Sequence, residues 1–188
     1  MSKVIKIGGK LIEDNARRDS LCDAIAQMAG STRIVLVHGG GAMAGKLASR
    51  MGVETHMHDG RRITDAATLE IAVMAYAGLA NKKITASLQA KGVNSCGLSG
   101  CDMGIVLSHL RPVGDIDWGY VGDIEKVNAE AIHCLLGAGI LPVISPITFD
   151  SSGQLLNTNA DSVASGVAEA LAAADEVEMV FCLDKPGV

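Results

Sequence analysis

The sequence predicts an α/β fold built on a parallel sheet, and three observations predict it. Two short apolar runs, residues 4–7 and 34–37, each end in a glycine turn, Gly8-Gly9 and Gly39-Gly40-Gly41, that opens a helical pattern. The second run, Ile34-Val35-Leu36-Val37, is continuously apolar, as a strand covered on both faces must be. Strand, glycine turn and helix then recur, and that alternation is how parallel sheets are built. The 188 residues are 48% hydrophobic and 20% charged, enough for the core of one domain and too apolar for a disordered chain.

The elements follow in order. After the strand at 4–7, a helix is predicted over 11–29, with Leu21, Ala24, Ile25 and Met28 on one face. Gly30-Ser31 ends it. The strand at 34–37 leads through His38 and the glycines into a helix reaching residue 51. A polar loop, 56–62, precedes a long helical pattern from Thr64 or Asp65 to about residue 90. Leu69, Ala72, Val73, Met74, Ala77, Leu79 and Ala80 leave that helix apolar on most sides, so it is expected to be buried on two faces. In so small a domain the second face implies a subunit partner, a homodimer through helix 65–90. Segments 93–98, 104–108 and 117–127 read as short strands with hairpin turns. A helix over 128–136, a strand at 140–144, a hairpin tip at 151–153, an alanine-rich helix from Asn159 or Asp161 and a strand at 177–183 complete the chain.

Composition narrows the partners. A formal net charge of −5, with one Trp, two Tyr and two Phe, suits neither nucleic-acid phosphates nor base stacking. Five cysteines (Cys22, Cys96, Cys101, Cys134, Cys182) form no C-x-x-C pair, so free thiols of a reducing cytoplasm are expected rather than disulfides or zinc. His56-x-His58 lacks a third ligand, and no metal site is expected. No run approaches the ~20 residues of a membrane span, and the amino terminus has no signal-peptide core.

The chemistry-bearing residues gather at the glycine turns. Ligands bind at the carboxyl ends of strands in open α/β sheets. Three successive glycines bring backbone N–H groups close to an anion at a helix start; a plain tight turn needs only one. Lys6, in a strand otherwise meant for burial, demands an anionic partner unless it lies on an edge. The arginines of Gly60-Arg61-Arg62-Ile63-Thr64 are either solvated or a clamp for a carboxylate. In Asn157-Thr158-Asn159-Ala160-Asp161 the polar residues are caps, or ligands, or both.

Taken in order, Lys6-Ile7-Gly8-Gly9, Val37-His38-Gly39-Gly40-Gly41, Gly60-Arg61-Arg62-Ile63-Thr64, Ala80-Asn81-Lys82, Gly119-Tyr120-Val121-Gly122-Asp123 and Asn157-Thr158-Asn159-Ala160-Asp161 resemble the amino acid kinase family, and within it the acetylglutamate kinase branch, across essentially the whole chain. The resemblance implies a three-layer sandwich with a central, mainly parallel sheet and β-hairpins over the substrate site. It implies transfer of phosphate from ATP with Mg2+ to the side-chain carboxylate of N-acetyl-L-glutamate, a step of arginine biosynthesis. It makes Lys6 the catalytic cation and Asp161 its orienting partner. Gly40, Gly41, Arg62 and Asn157 become substrate-binding, with Arg62 on the α-carboxylate. Gly8, Gly9, Asp184, Lys185 and Gly187 become nucleotide-binding. Residues 1–174 would be the acylamino-acid lobe and 175–188 the opening of a nucleotide lobe. Family members continue further and carry a second catalytic lysine there, so the 188-residue chain alone is expected to show little or no kinase activity. The early first strand leaves no room for the N-terminal helix of arginine-inhibited members.

Three other readings stay open at this point. A non-catalytic N-acylglutamate-binding module would keep the pocket without turnover. Glutamate 5-kinase or an N-succinylglutamate kinase would change the substrate. A nicotinamide dehydrogenase would read Gly39-x-Gly41-x-x-x-Gly45 as its fingerprint and Asp59 as its ribose acid, but would leave the Lys6-Gly8-Gly9 turn unexplained.

Overall fold

The computed structural model describes residues 1–183; the expectations for Asp184, Lys185 and Gly187 lie outside the described residues. Along the chain run β1 (Ser2–Ile7), α1 (Gly9–Glu13), α2 (Asn15–Ala29), β2 (Arg33–His38), α3 (Gly41–Met51), β3 (Met57–His58), β4 (Arg61–Arg62), α4 (Ala66–Ala72), a π-helical segment (Val73–Ala80) and α5 (Asn81–Ala90). There follow β5 (Ser95–Leu98), β6 (Val106–Leu110), β7 (Val121–Val127), α6 (Ala129–Gly137), β8 (Leu141–Ile144), β9 (Ile147–Phe149), β10 (Leu155–Thr158), α7 (Ala160–Ala172) and β11 (Val177–Cys182).

Five strands form one sheet in the order β11-β1-β2-β8-β5, every neighbouring pair parallel. Side chains on a strand point alternately to its two faces, and both faces are apolar. Ile5, Ile7, Ile34 and Leu36 pack with Ile12, Cys22 and Ile25 of α1 and α2, and with Ile84 and Leu88 of α5. Val4, Val35 and Val37 pack on the opposite side with Ile132 and Leu136 of α6 and Val163, Val167 and Leu171 of α7. The result is the expected three-layer α/β sandwich. The same alternation decides where two polar residues go. Lys6 shares the face of Val4 and points toward α7, whereas His38 shares the face of Leu36 and points toward α5.

The remaining strands sit beyond the carboxyl end of the sheet. The antiparallel pairs β6–β7 and β9–β10 are joined by parallel pairing of β7 with β10 and of β6 with β9, which closes a four-stranded barrel. The expected hairpin tip is present, with Gly153 at φ +88° between β9 and β10.

Four local expectations are corrected. The helix predicted over 11–29 is two helices, because the Asp14 carboxylate accepts from Arg17 N–H at 3.0 Å and starts α2 afresh. Cys22, not Ala24, joins Ile25 on the buried face. The segment at 93–98 is a parallel strand of the main sheet rather than part of a hairpin. The polar loop at 56–62 holds a two-stranded ribbon that pairs Met57 with Arg62 and His58 with Arg61.

The long helix is continuous, with helical backbone at both junctions, Val73 and Asn81. Asp65 caps its start by accepting from Thr68 N–H at 2.7 Å. One side of the π-helical segment places Ala75 and Tyr76 against Ala44 and Ala48 of α3 and Ile147 of β9. On the other, Met74 and Leu79 are 42% and 46% exposed. Among the described residues no helix is long and apolar enough to cross a membrane.

Candidate active site

The two glycine turns meet. The ends of β1 and β2 are paired, Ile7 beside His38, and Gly39 N–H donates to the Ile7 carbonyl at 3.0 Å. A Cβ built on Gly9 would lie 3.2 Å from the Gly40 nitrogen, and one on Gly40 would lie 2.6 Å from the Tyr76 ring. Only glycines let these surfaces touch. Gly40 caps α3 and Gly41 opens it, while Gly9 opens α1. The first N–H groups of a helix have no partner within it and carry its positive end. Gly8 N–H donates to the Cys182 carbonyl at 3.1 Å.

Next to these turns lies a cavity of about 330 Å³, lined among others by Gly40, Gly41, Arg62, Tyr76, Trp118 and Asn157. Arg62, on β4, donates from Nη2 to the Gly41 carbonyl at 3.1 Å; its Nη1 is buried with no hydrogen-bond partner among the described residues. Asn157, on β10, donates to Thr64 Oγ1 at 3.0 Å. Thr64 is fully buried and bonded across to the 118–120 segment: its N–H donates to the Trp118 carbonyl at 3.0 Å, and its carbonyl accepts from Tyr120 N–H at 2.7 Å. Between those two residues Gly119 has φ +63°, and a Cβ there would overlap the Thr64 carbonyl. The ribbon, the barrel and the long helix are therefore fastened at one point.

The outer wall is a stack. Trp118 meets His58 edge-on with ring centroids 6.0 Å apart, and the Arg111 guanidinium lies 5.6 Å from the Trp118 ring centre. Arg111 grips Asp123 with bonds of 2.7 and 3.2 Å, and that grip holds the Asp123 carboxyl below its usual range. Burial pushes the Tyr76 phenol up, against the opposing charge of Arg62.

Lys6 stands at the junction of β1 and α7. Its Nζ lies 2.8 Å from Asp161 Oδ1. Asp161 occupies the first turn of α7, where the helix's positive end favours a carboxylate. Asn159 caps that helix, accepting from Asp161 N–H at 2.8 Å and Ser162 N–H at 3.1 Å.

The structure thus gathers Gly40, Gly41, Arg62 and Asn157 around one cavity and pairs Lys6 with Asp161 beside it. Tyr76, Trp118 and Arg111 complete the walls and were not singled out from sequence; only the rarity of tryptophan gave a signal for the second. Asp59 sits at φ +46° in the turn of the ribbon, not at a strand end where a ribose acid belongs. Among the described residues no group of three or more His, Cys, Asp or Glu is placed to hold a metal ion.

Parallel sheet, paired glycine turns and a lysine held by a carboxylate make up the site, and the whole chain, residues 1–188, matches the model of the amino acid kinase family. The chain belongs to that family. It is 49% identical over 185 residues to the acetylglutamate kinases of Phocaeicola vulgatus and Bacteroides thetaiotaomicron, covering 98% of this chain and 71% of each relative. Those matches place it in the acetylglutamate kinase branch. Among solved structures, N-acetylglutamate synthase from Neisseria gonorrhoeae, complexed with coenzyme A and N-acetyl-glutamate, superposes with a TM-score of 0.82 at 27% identity, covering 100% of this chain and 42% of that one.

Proposed function

We propose that this chain holds N-acetyl-L-glutamate in the 330 Å³ cavity and is part of a cytoplasmic kinase that phosphorylates the side-chain carboxylate with ATP. One observation carries the reading: the cavity offers two separate anion sites. At one, the buried Nη1 of Arg62 lacks a partner and suits an α-carboxylate. At the other, the N–H groups opening α3 suit a second acid. Asn157 donates through its nitrogen to Thr64, and its carbonyl oxygen accepts from the acylated nitrogen.

The attacking carboxylate is already an anion, so no general base is needed. The obstacle is repulsion from the γ-phosphoryl group. Lys6, kept in place by Asp161, neutralises charge on the phosphoryl group in flight, and the glycine N–H groups add to it. The carboxylate oxygen bonds to phosphorus, the bond to the departing ADP breaks, and an acyl phosphate results. Magnesium bound to the nucleotide would supply further charge neutralisation, and among the described residues no cluster of acids, histidines or cysteines is placed to hold it. Residues 1–174 form the acylamino-acid lobe, and the described residues from 175 on belong to a nucleotide lobe. The exposed Met74 and Leu79 are covered by the same helix of a second copy.

Calorimetry tests the reading directly. N-acetyl-L-glutamate binds the wild-type chain, and Arg62→Ala weakens it by about 10- to 100-fold, the worth of a charged hydrogen-bonded pair. Unacylated L-glutamate binds more weakly than the acylated compound; the opposite order points to glutamate 5-kinase. Titration with N-succinyl-L-glutamate settles the acyl group. Absence of binding by the acylglutamates sinks the proposal.

A further inference from the structure

Asn81 is fully buried, belongs to no wall of the cavity, and lies in a motif the function above leaves without a task. Its carboxamide stands where three parallel strands end. Nδ2 is 2.8 Å from the Val143 carbonyl at the end of β8, 3.3 Å from the Leu98 carbonyl at the end of β5, and 3.1 Å from His38 Nε2 at the end of β2. Oδ1 accepts from Lys82 Nζ at 3.2 Å, and the same ammonium donates to the Gly97 carbonyl at 2.8 Å. Gly97 has to be a glycine here, because a Cβ would overlap Asn81 Oδ1.

These contacts admit one proton arrangement. Two carbonyl oxygens face Nδ2, which identifies it as the nitrogen of the amide. Its two hydrogens are shared among the Val143 and Leu98 carbonyls and His38 Nε2, and because an amide nitrogen accepts no hydrogen bond, Nε2 carries no proton. The other ring nitrogen, Nδ1, lies 2.8 Å from the Gly39 carbonyl oxygen, so it carries the proton. His38 is thereby fixed as the neutral Nδ1–H tautomer.

We propose that Asn81 and His38 are positioning residues for the triple-glycine turn: the amide sets the tautomer, and the imidazole grips the Gly39 carbonyl. A peptide unit is planar, so gripping that oxygen fixes the direction of the Gly40 N–H on the other end of the same unit. Gly39 N–H is held independently by the Ile7 carbonyl. Both peptide units around Gly39 are therefore clamped, and a stretch of three glycines, the most pliable backbone available, keeps a single conformation. The importance of this for ligand binding rests on the assignment of the turn to the acylglutamate.

Ring 15N chemical shifts of the labelled wild-type chain test the clamp without any variant or ligand. The expected result is a neutral Nδ1–H ring that stays unprotonated well below pH 6. An Nε2–H tautomer, or protonation at the ordinary histidine pH, overturns it. Calorimetry with N-acetyl-L-glutamate tests the consequence, with circular dichroism confirming that each variant is folded. The carboxamide of His38→Asn reaches the place of Nδ1, and that of His38→Gln the place of Nε2. The first keeps affinity within about threefold and the second loses about tenfold. Equal losses show that only ring volume mattered, and overturn the proposal. Failure of the wild-type chain to bind N-acetyl-L-glutamate removes the functional reading, while the tautomer still decides whether the pair holds the turn.

Discussion

Lys6 Nζ stands 2.8 Å from Asp161 Oδ1, but the two partners live in different surroundings: the lysine side chain is 11% exposed and the aspartate 54%. The pair is therefore asymmetric. Replacing Asp161 by Ala strands an ammonium in the interior, which costs about 1–3 kcal/mol. Replacing Lys6 by Met leaves a carboxylate in contact with water, at a cost below about 1 kcal/mol. Urea unfolding of the two variants checks the order. In a chain extended to the length of its relatives and assayed with ATP and N-acetyl-L-glutamate, Lys6→Ala lowers kcat by about 100- to 1,000-fold with little change in KM; a rise in KM alone contradicts its role at the phosphoryl group.

Gly119→Ala is expected to damage binding from outside the cavity. Its φ of +63° and the closeness of the Thr64 carbonyl both oppose a side chain. Positive φ alone costs about 1–2 kcal/mol, and the overlap adds to it. The Thr64 bridge must shift, carrying Arg62 on one side and Asn157 on the other. Thermal unfolding and N-acetyl-L-glutamate titration should fall together.

Stability should depend on pH through His38. Burial depresses its pKa to about 4 in the folded chain, from 6.5 ordinarily. Between those values the unfolded chain binds the extra proton, so stability rises with pH. The contribution is complete above about pH 6.5 and is lost as the pH falls toward 4. At pH 5 the loss is about 2 kcal/mol. Urea midpoints at pH 7 and pH 5 read it, and His38→Asn should flatten the difference.

The outward face of the long helix gives a prediction about assembly. Sedimentation of the wild-type chain at micromolar concentration should report twice the 19.4 kDa chain mass. The double variant Met74→Glu, Leu79→Glu should report a single chain. A wild-type protein sedimenting as one chain removes the dimer.

How far the sequence revealed all this depends on the kind of signal. Strands at 4–7 and 34–37 were legible because short apolar runs between turns have one use in an α/β domain, and helix starts at Thr64 or Asp65, at 128 and at Asn159 or Asp161 were visible as polar residues before apolar periodicity, with Asp65, Asn128 and Asn159 found to be the caps. Gly40, Gly41, Arg62 and Asn157 were legible as a set only through family resemblance, since they lie far apart in the chain and meet by folding. Asp14 was hidden because a cap inside a helical pattern looks like a solvated residue. Tyr76 was hidden because a buried polar residue on an apolar helix reads as core until its partners are known, and Asn81, visible within Ala80-Asn81-Lys82, showed no task for the same reason. The ribbon at 57–62 was too short to show any periodicity.

The π-helical stretch Val73–Ala80 has a consequence for variation in length. Each of its turns spends one residue more than an α-turn, so it offsets the angular phase of everything downstream. Tyr76 lies within it, and Asn81 follows it directly. Were the segment to wind as α with all its residues kept, Asn81 would turn away from His38 by roughly a quarter of a revolution, uncoupling the ends of three strands; removing one residue at the same time would offset that rotation. The segment acts as a phase-setting spacer whose residue number matters more than its composition.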